Sequence, residues 1–255
     1  MVPDVLVQVV KAGASLAACY LSSSLFPEIR EVHRNKATGT MLLLPIPSMF
    51  GNGVLWTLYG FLAHDYFPLV ATNAVGIAFS AFYMAVYLRY TTEKCSVLTR
   101  MLLVWAALLG LILYAVLSPE AKSAVKERIG YIAIAVCAVM FGSPLVVVKQ
   151  VVQTKNSALL PFGMIVAGVL NSVLWLSYGL LIQDMIVVAP NFLNLMLGAT
   201  QLVLICVYRQ PKTPSKTEKP QETPAIPVEK PGSDDNSTSS ETDIEESKMS
   251  RDSMA

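Results

Sequence analysis

Four kinds of side chain with binding chemistry occur twice in this chain, in the same order and at the same spacing. Asn52, Trp56, Tyr59 and Asp65 recur 119 residues later as Asn171, Trp175, Tyr178 and Asp184. Lys36 and Gly60 recur with them as Lys155 and Gly179, and Asn73 recurs one residue out of step as Asn191. An amide supplies two N–H donors and a carbonyl acceptor, a phenol can donate to a carboxylate, and an indole offers a broad apolar face. This is equipment for recognising a neutral polar molecule. Bond-making chemistry is not expected. There is no glycine-rich phosphate loop, HExxH or GxSxG, and the four cysteines and two histidines have no ligand or nucleophile spacing. No cofactor and no metal is implied.

The elements that carry these residues follow from the apolar pattern. The chain of 255 residues is 54% hydrophobic and its mean hydropathy is +0.53, above a soluble domain at roughly 45–50% apolar. A net charge of +1 excludes a strongly basic nucleic-acid binder. Seven apolar runs of about 20 residues suit helices crossing a bilayer core of about 30 Å. They lie near 5–27, 41–63, 66–88, 101–118, 129–148, 160–182 and 185–208. The first is expected to be a span and not a cleaved signal, because Asp4 and Lys11 precede the main apolar run and no small-residue cleavage site follows it before Glu28. Loops one, three and five carry Arg30, Arg34, Lys36, Arg89, Lys94, Arg100, Lys149 and Lys155, and Arg209 and Lys212 follow the last span. Loops two and six carry no Lys or Arg. Loop four opposes the trend with Lys122, Lys126 and Arg128. The positive-inside rule then puts the N-terminus outside and the C-terminus in the cytosol.

Repetition over some forty positions implies a duplicated unit of about a hundred residues, with one site expected where the copies meet. Seven spans divide into spans 1–3, a single linking span 4, and spans 5–7. The odd linker leaves both copies in one orientation, so the fold expected is all-α, with two parallel three-helix units. Their boundaries are 1–92 and 128–209, with the linker and its flanks at 93–127. Residues 210–255 are rich in Pro, Ser, Thr and charge and are expected to form a disordered cytosolic tail.

Asn73 and Asn191 fall about 12 Å into their helices at 1.5 Å per residue, near mid-membrane. A single amide there can serve as helix–helix glue. Two at matched positions point to a shared cavity. Trp56 and Trp175 suit an outer aromatic belt taken singly, yet each is i,i+4 to an asparagine, Asn52 or Asn171, which favours the interior. Pro45 and Pro161 suit helix starts, whereas Pro144 is expected to kink span five. No Asp or Glu lies in the middle of any span, which favours passive movement over ion coupling.

The segments GSPLVVVKQVVQTKNSALLPF, VLWLSYGLLIQD and VAPNFLNLMLGATQLVLICVYR resemble the second half of a eukaryotic SWEET sugar transporter, and EIREVHRNKATG, WTLYG and TNAVG resemble the first. The resemblance covers about residues 5–209. It implies two three-helix bundles with helix order 1-3-2, joined by a linker helix and carrying sugars by facilitated diffusion. It also implies a pocket at Asn73, Asn191, Trp56 and Trp175, with Asn52 and Asn171 a turn away. An outer gate would pair Tyr59 with Asp184, and Tyr178 with Asp65. Inner hinge prolines would be Pro45, Pro144 and Pro161. The fourth departs, with Leu25 at its position and Pro27 two residues on. The partners implied are a sugar (a hexose or sucrose), the lipid bilayer and further copies of the chain, with the plasma membrane the expected home. Two alternatives stand beside this reading. One is a carrier of another neutral or zwitterionic solute of the PQ-loop kind, disfavoured by Phe26-Pro27-Glu28 and Ser143-Pro144-Leu145. The other is a seven-helix receptor, disfavoured by the tandem repeat and the short loops.

Overall fold

The structure, a computed structural model, describes residues 4–39 and 41–208. The tail from 210, with Arg209 and Lys212, lies outside the described residues. Nine α-helices are described: α1 Asp4–Ser23, α2 Phe26–Asn35, α3 Pro45–Ala63, α4 Ala71–Tyr90, α5 Lys94–Leu117, α6 Lys122–Met140, α7 Gly142–Thr154, α8 Phe162–Leu181 and α9 Met185–Val207. A short irregular helical turn, Tyr66–Val70, leads into α4. Six helical stretches are long and apolar enough to cross a membrane: Asp4–Asn35, Tyr66–Tyr90, Lys94–Leu117, Lys122–Thr154, Phe162–Leu181 and Met185–Val207. α3, which carries the expected span 41–63, is not among them.

The duplication extends to the backbone. Lys36 and Lys155 both stand at φ 54°, ending α2 and α7 in the left-handed conformation. His64 and Gln183 take φ 57° and 56° after α3 and α8. In each copy the aspartate N–H then turns back onto the repeated glycine's carbonyl, Asp65 to Gly60 and Asp184 to Gly179, both at 2.9 Å. That closure presses the next helix onto the glycine. A Cβ on Gly60 would lie 2.8 Å from Val70 Cγ2, and one on Gly179 2.9 Å from Val188 Cγ2. The repeated Tyr-Gly pair is therefore a packing requirement as well as a motif.

The helices outrun several of the apolar runs. α5 begins at Lys94 and α6 at Lys122, where the hydropathy pattern suggests starts near 101 and 129. A helix needs backbone hydrogen bonds, not apolar side chains, so it continues past the hydrophobic segment. Loop-four cations Lys122, Lys126 and Arg128 thus belong to α6. Lys122 Nζ donates to the Ala115 carbonyl (2.9 Å), and Arg128 donates to Glu120 and to the Tyr114 hydroxyl, both at 2.7 Å. Arg30 and Arg34 lie on α2 and Lys149 on α7, again helical and not loop.

α4 packs on α1 and α3, and α9 packs on α6 and α8. Across the copies, α1 meets α8 and α3 meets α6, while α5 lies on α3 and α6. The largest apolar core draws on both copies, including Ala14, Leu55, Tyr59, Ile129, Tyr178 and Val187. Many large apolar side chains face outward, Leu16, Leu103 and Val139 among them. An apolar exterior of this extent suits lipid.

Candidate functional site

Where the copies meet, a cavity of about 400 Å³ opens between α1, α3, α4, α6, α8 and α9. All six residues expected in a pocket line it: Asn52, Trp56, Asn73, Asn171, Trp175 and Asn191. The cavity's walls come from far-apart positions in sequence because α3 packs on α6 and α1 on α8.

The two mid-helix asparagines have one geometry. Asn73 Nδ2 donates to the Leu69 carbonyl and Asn191 Nδ2 to the Val187 carbonyl, each at 2.8 Å. One N–H of each amide is thereby anchored to its own helix, which fixes the side chain while leaving the carbonyl oxygen for a further donor. Asn52 Oδ1 accepts from the Cys137 thiol at 3.2 Å. Asn171 Oδ1 is buried with no partner. An orphaned buried acceptor costs about 1–3 kcal/mol, so this atom is a natural receiver for a hydroxyl entering the cavity.

Trp56 and Trp175 are each only 7% exposed. This places them in the interior and not in an aromatic belt at the surface. Each ring meets the tyrosine one turn along edge-on, at 5.7 Å for Tyr59 and 5.9 Å for Tyr178. The result is two apolar walls beside a set of amides, the usual design of a small-molecule pocket.

At the tyrosine end the copies are tied together twice. Tyr59 OH donates to Asp184 Oδ2 at 2.6 Å, and Tyr178 OH donates to Asp65 Oδ2 at 2.6 Å. Asp184 also caps α9, its Oδ1 accepting from the N–H groups of Ile186 (3.0 Å) and Val187 (3.4 Å). Bonding tyrosine and capping a helix are thus not exclusive for this residue. Asp65 makes no side-chain cap. The symmetry of the latches is broken by their carboxylates.

The expected hinge prolines do not line the cavity and lie at helix ends, whereas Pro190, inside α9, does line it. Pro45 is the first residue of α3 and Pro161 the N-cap of α8. Span five breaks within the turn before Pro144, where a proline in its interior is expected to interrupt it. The chain already breaks at Phe141, and Pro144 sits in the first turn of α7, where its missing N–H costs no bond. The first copy breaks at the same level without a proline at 25: Leu25 is the N-cap of α2 and Pro27 stands in its first turn.

Several cavity residues escape a search for repeats because their counterparts differ. Asn194 corresponds to Gly76 and Cys137 to Ala18 in the other copy, and the buried Ser172, which bonds Asn194, corresponds to Gly53. Asn194 lines the cavity, and its Nδ2 donates to Ser172 Oγ at 2.6 Å. Its place three residues after Asn191, on one helix face, was the only signal for it. Thr72 also lines the cavity, donating to Ser15 Oγ at 2.9 Å.

Taken together, the apolar helices, the duplicated backbone and the polar cavity between the copies define a polytopic integral membrane protein with a central polar cavity. Comparison with known proteins narrows the class. A family profile described as "Sugar efflux transporter for intercellular exchange" matches residues 11–95 and 127–213, once per copy. The chain belongs to this family, the SWEET family. It is 31% identical over 191 residues to the bidirectional sugar transporter SWEET15 of Oryza sativa subsp. indica, covering 74% of this chain and 60% of the relative. The sugar transporter SWEET1 of Caenorhabditis elegans is 29% identical over 204 residues, covering 80% of this chain and 66% of the relative. The match therefore spans about two thirds or less of these relatives' length. A solved eukaryotic SWEET transporter has the same fold, with a TM-score of 0.74 at 24% identity over 81% of this chain and 98% of that one.

Proposed function

We propose that this protein is a bidirectional sugar uniporter that moves its substrate by facilitated diffusion and alternating access, and is not an enzyme. The observation that carries the reading is the cavity at the junction of the copies. Matched Asn and Trp pairs line it, and two Tyr–Asp bonds tie the copies together one helical turn beyond the tryptophans. Amides from both copies take hydroxyls, and the indole faces of Trp56 and Trp175 stack on the C–H surface of a pyranose ring. Tyr59–Asp184 and Tyr178–Asp65 form the outer gate, shut in this conformation. Pro45, Pro144, Pro161 and Pro27, at the helix breaks and starts on the opposite side, form the inner hinge.

Seven spans carry the mechanism, residues 1–92 and 128–209 being parallel three-helix units and 93–127 the linker. Helix contacts in the order α1–α4–α3 and α6–α9–α8 support a 1-3-2 arrangement in each unit. The N-terminus faces outside, the C-terminus the cytosol, and the plasma membrane is the site of action. Relatives named as bidirectional sugar transporters support a sugar as substrate. The deciding experiment is counterflow in proteoliposomes with labelled glucose and sucrose against labelled lysine and cystine. Exchange of a sugar alone is the expected result. Exchange of an amino acid in its place overturns the reading in favour of a PQ-loop-type carrier.

A further inference from the structure

α1 carries one charged side chain beyond its first residue, Lys11, about two turns into an apolar helix. A cation at that depth is costly and ordinarily has a partner or a task. Lys11 Nζ lies over the ring of Tyr178, 5.9 Å from its centroid. That ring's hydroxyl is the one bonded to Asp65. Among the described residues Lys11 Nζ makes no hydrogen bond or ion pair.

The other copy has no such cation. Lys11 corresponds to Gly130 on α6. There a Cβ would lie 2.5 Å from Ile186 Cδ1 and 3.0 Å from Tyr59 Cε2, so no side chain fits beside Tyr59. The carboxylates differ to match. Asp184 is met by the amides at the start of α9, which carry the positive end of the helix dipole. Asp65 caps nothing. One latch thus has a helix N-terminus as its positive partner, and the other has, among the described residues, the only cation over a latch tyrosine.

We infer that Lys11 is the counter-charge of the Tyr178–Asp65 latch, a positioning residue that holds the outer gate shut from the first copy's side. Its ammonium sits on the π face of Tyr178, polarises the phenol toward Asp65, and offsets the carboxylate charge that α9 offsets for Asp184. The consequence is an outer gate whose two bonds are alike in length and unlike in origin. The inference rests on the gate reading above.

The test reads the gate itself. Thr72 lines the cavity below the latches, so Thr72→Cys reports outward opening through an impermeant thiol reagent added outside, with the four native cysteines replaced. Lys11→Met keeps the stem and removes the charge. It should speed labelling roughly two- to thirtyfold, the range that cation–aromatic contacts span between exposed and desolvated sites. Lys11→Gln should do the same, and Lys11→Arg should label as the parent does. In an Asp65→Asn background Lys11→Met should add nothing, while in Asp184→Asn its effect should persist in full. Parent-rate labelling in the folded Met or Gln variant overturns the inference, as does an effect undiminished by Asp65→Asn. Sugar counterflow by the parent separates the two readings. Coupling without flux leaves Lys11 in place and removes the sugar carrier, whereas flux without coupling removes only Lys11.

Discussion

The two Tyr–Asp latches have equal lengths, 2.6 Å each, but only one carboxylate also holds a helix end. Removing each partner should therefore give a specific pattern. Tyr59→Phe and Tyr178→Phe each delete one charge-assisted bond, worth about 1.5–3 kcal/mol where shielded from water. At about 1.4 kcal/mol per decade, that shifts the closed-to-open ratio of the gate by roughly 10- to 150-fold. Asp65→Ala should match Tyr178→Phe in both gating and stability, since Asp65 has no second task. Asp184→Ala should match Tyr59→Phe in gating but lose the α9 cap as well, at about 0.5–2 kcal/mol. For a chain of this size that is on the order of 2–4 °C per kcal/mol in thermal midpoint. Asp184→Asn keeps the cap, because asparagine caps about as well as aspartate, and should restore the midpoint without restoring the charge-assisted bond. The gate is read by external labelling of Thr72→Cys, and stability by thermal unfolding in one detergent. Equal loss of midpoint in Asp65→Ala and Asp184→Ala would refute the division of labour. Unchanged labelling in both tyrosine variants would refute the gate.

Three further outcomes follow from the site and its packing. Asn73→Ala or Asn191→Ala should abolish sugar exchange while leaving expression and thermal midpoint near the parent's, since each amide bonds only its own helix and the cavity; normal exchange by both variants removes the pair from the site. Transport should not respond to proton or sodium gradients, as no carboxylate lies in the middle of a span, and uphill accumulation collapsed by a protonophore would contradict this. Gly130→Ala should cost about 1–3 kcal/mol by overpacking against Ile186, and Ile186→Ala should recover most of it, with additive losses in the double variant counting against the contact.

Much of this protein was legible in one dimension. Paired asparagines, tryptophans, tyrosines and aspartates are visible as a repeat because duplication writes both halves of one site into the sequence. Membrane helices are legible because lipid forbids unsatisfied backbone, leaving long apolar runs as their trace. The Tyr59–Asp184 and Tyr178–Asp65 pairs were implied by the family resemblance, and each residue's place near a helix end agrees with it by putting them on one side of the membrane. What the repeat conceals is where the copies differ. Asn194 and Cys137 line the cavity where the other copy has Gly76 and Ala18, Ser172 bonds Asn194 where the other copy has Gly53, and no periodicity flags a residue whose counterpart is glycine or alanine. The break at Leu25 was hidden too, because an apolar run reads the same whether its helix is whole or broken, whereas the one at Phe141 falls just before Pro144, where a kink was expected. Lys11 looked like an interruption before a span until α1 packed on α8 and set its ammonium over Tyr178. Which neighbour a side chain meets across a helix interface depends on the rotation and register of two packed helices. Those follow from every contact along both, and only the folded chain brings them together.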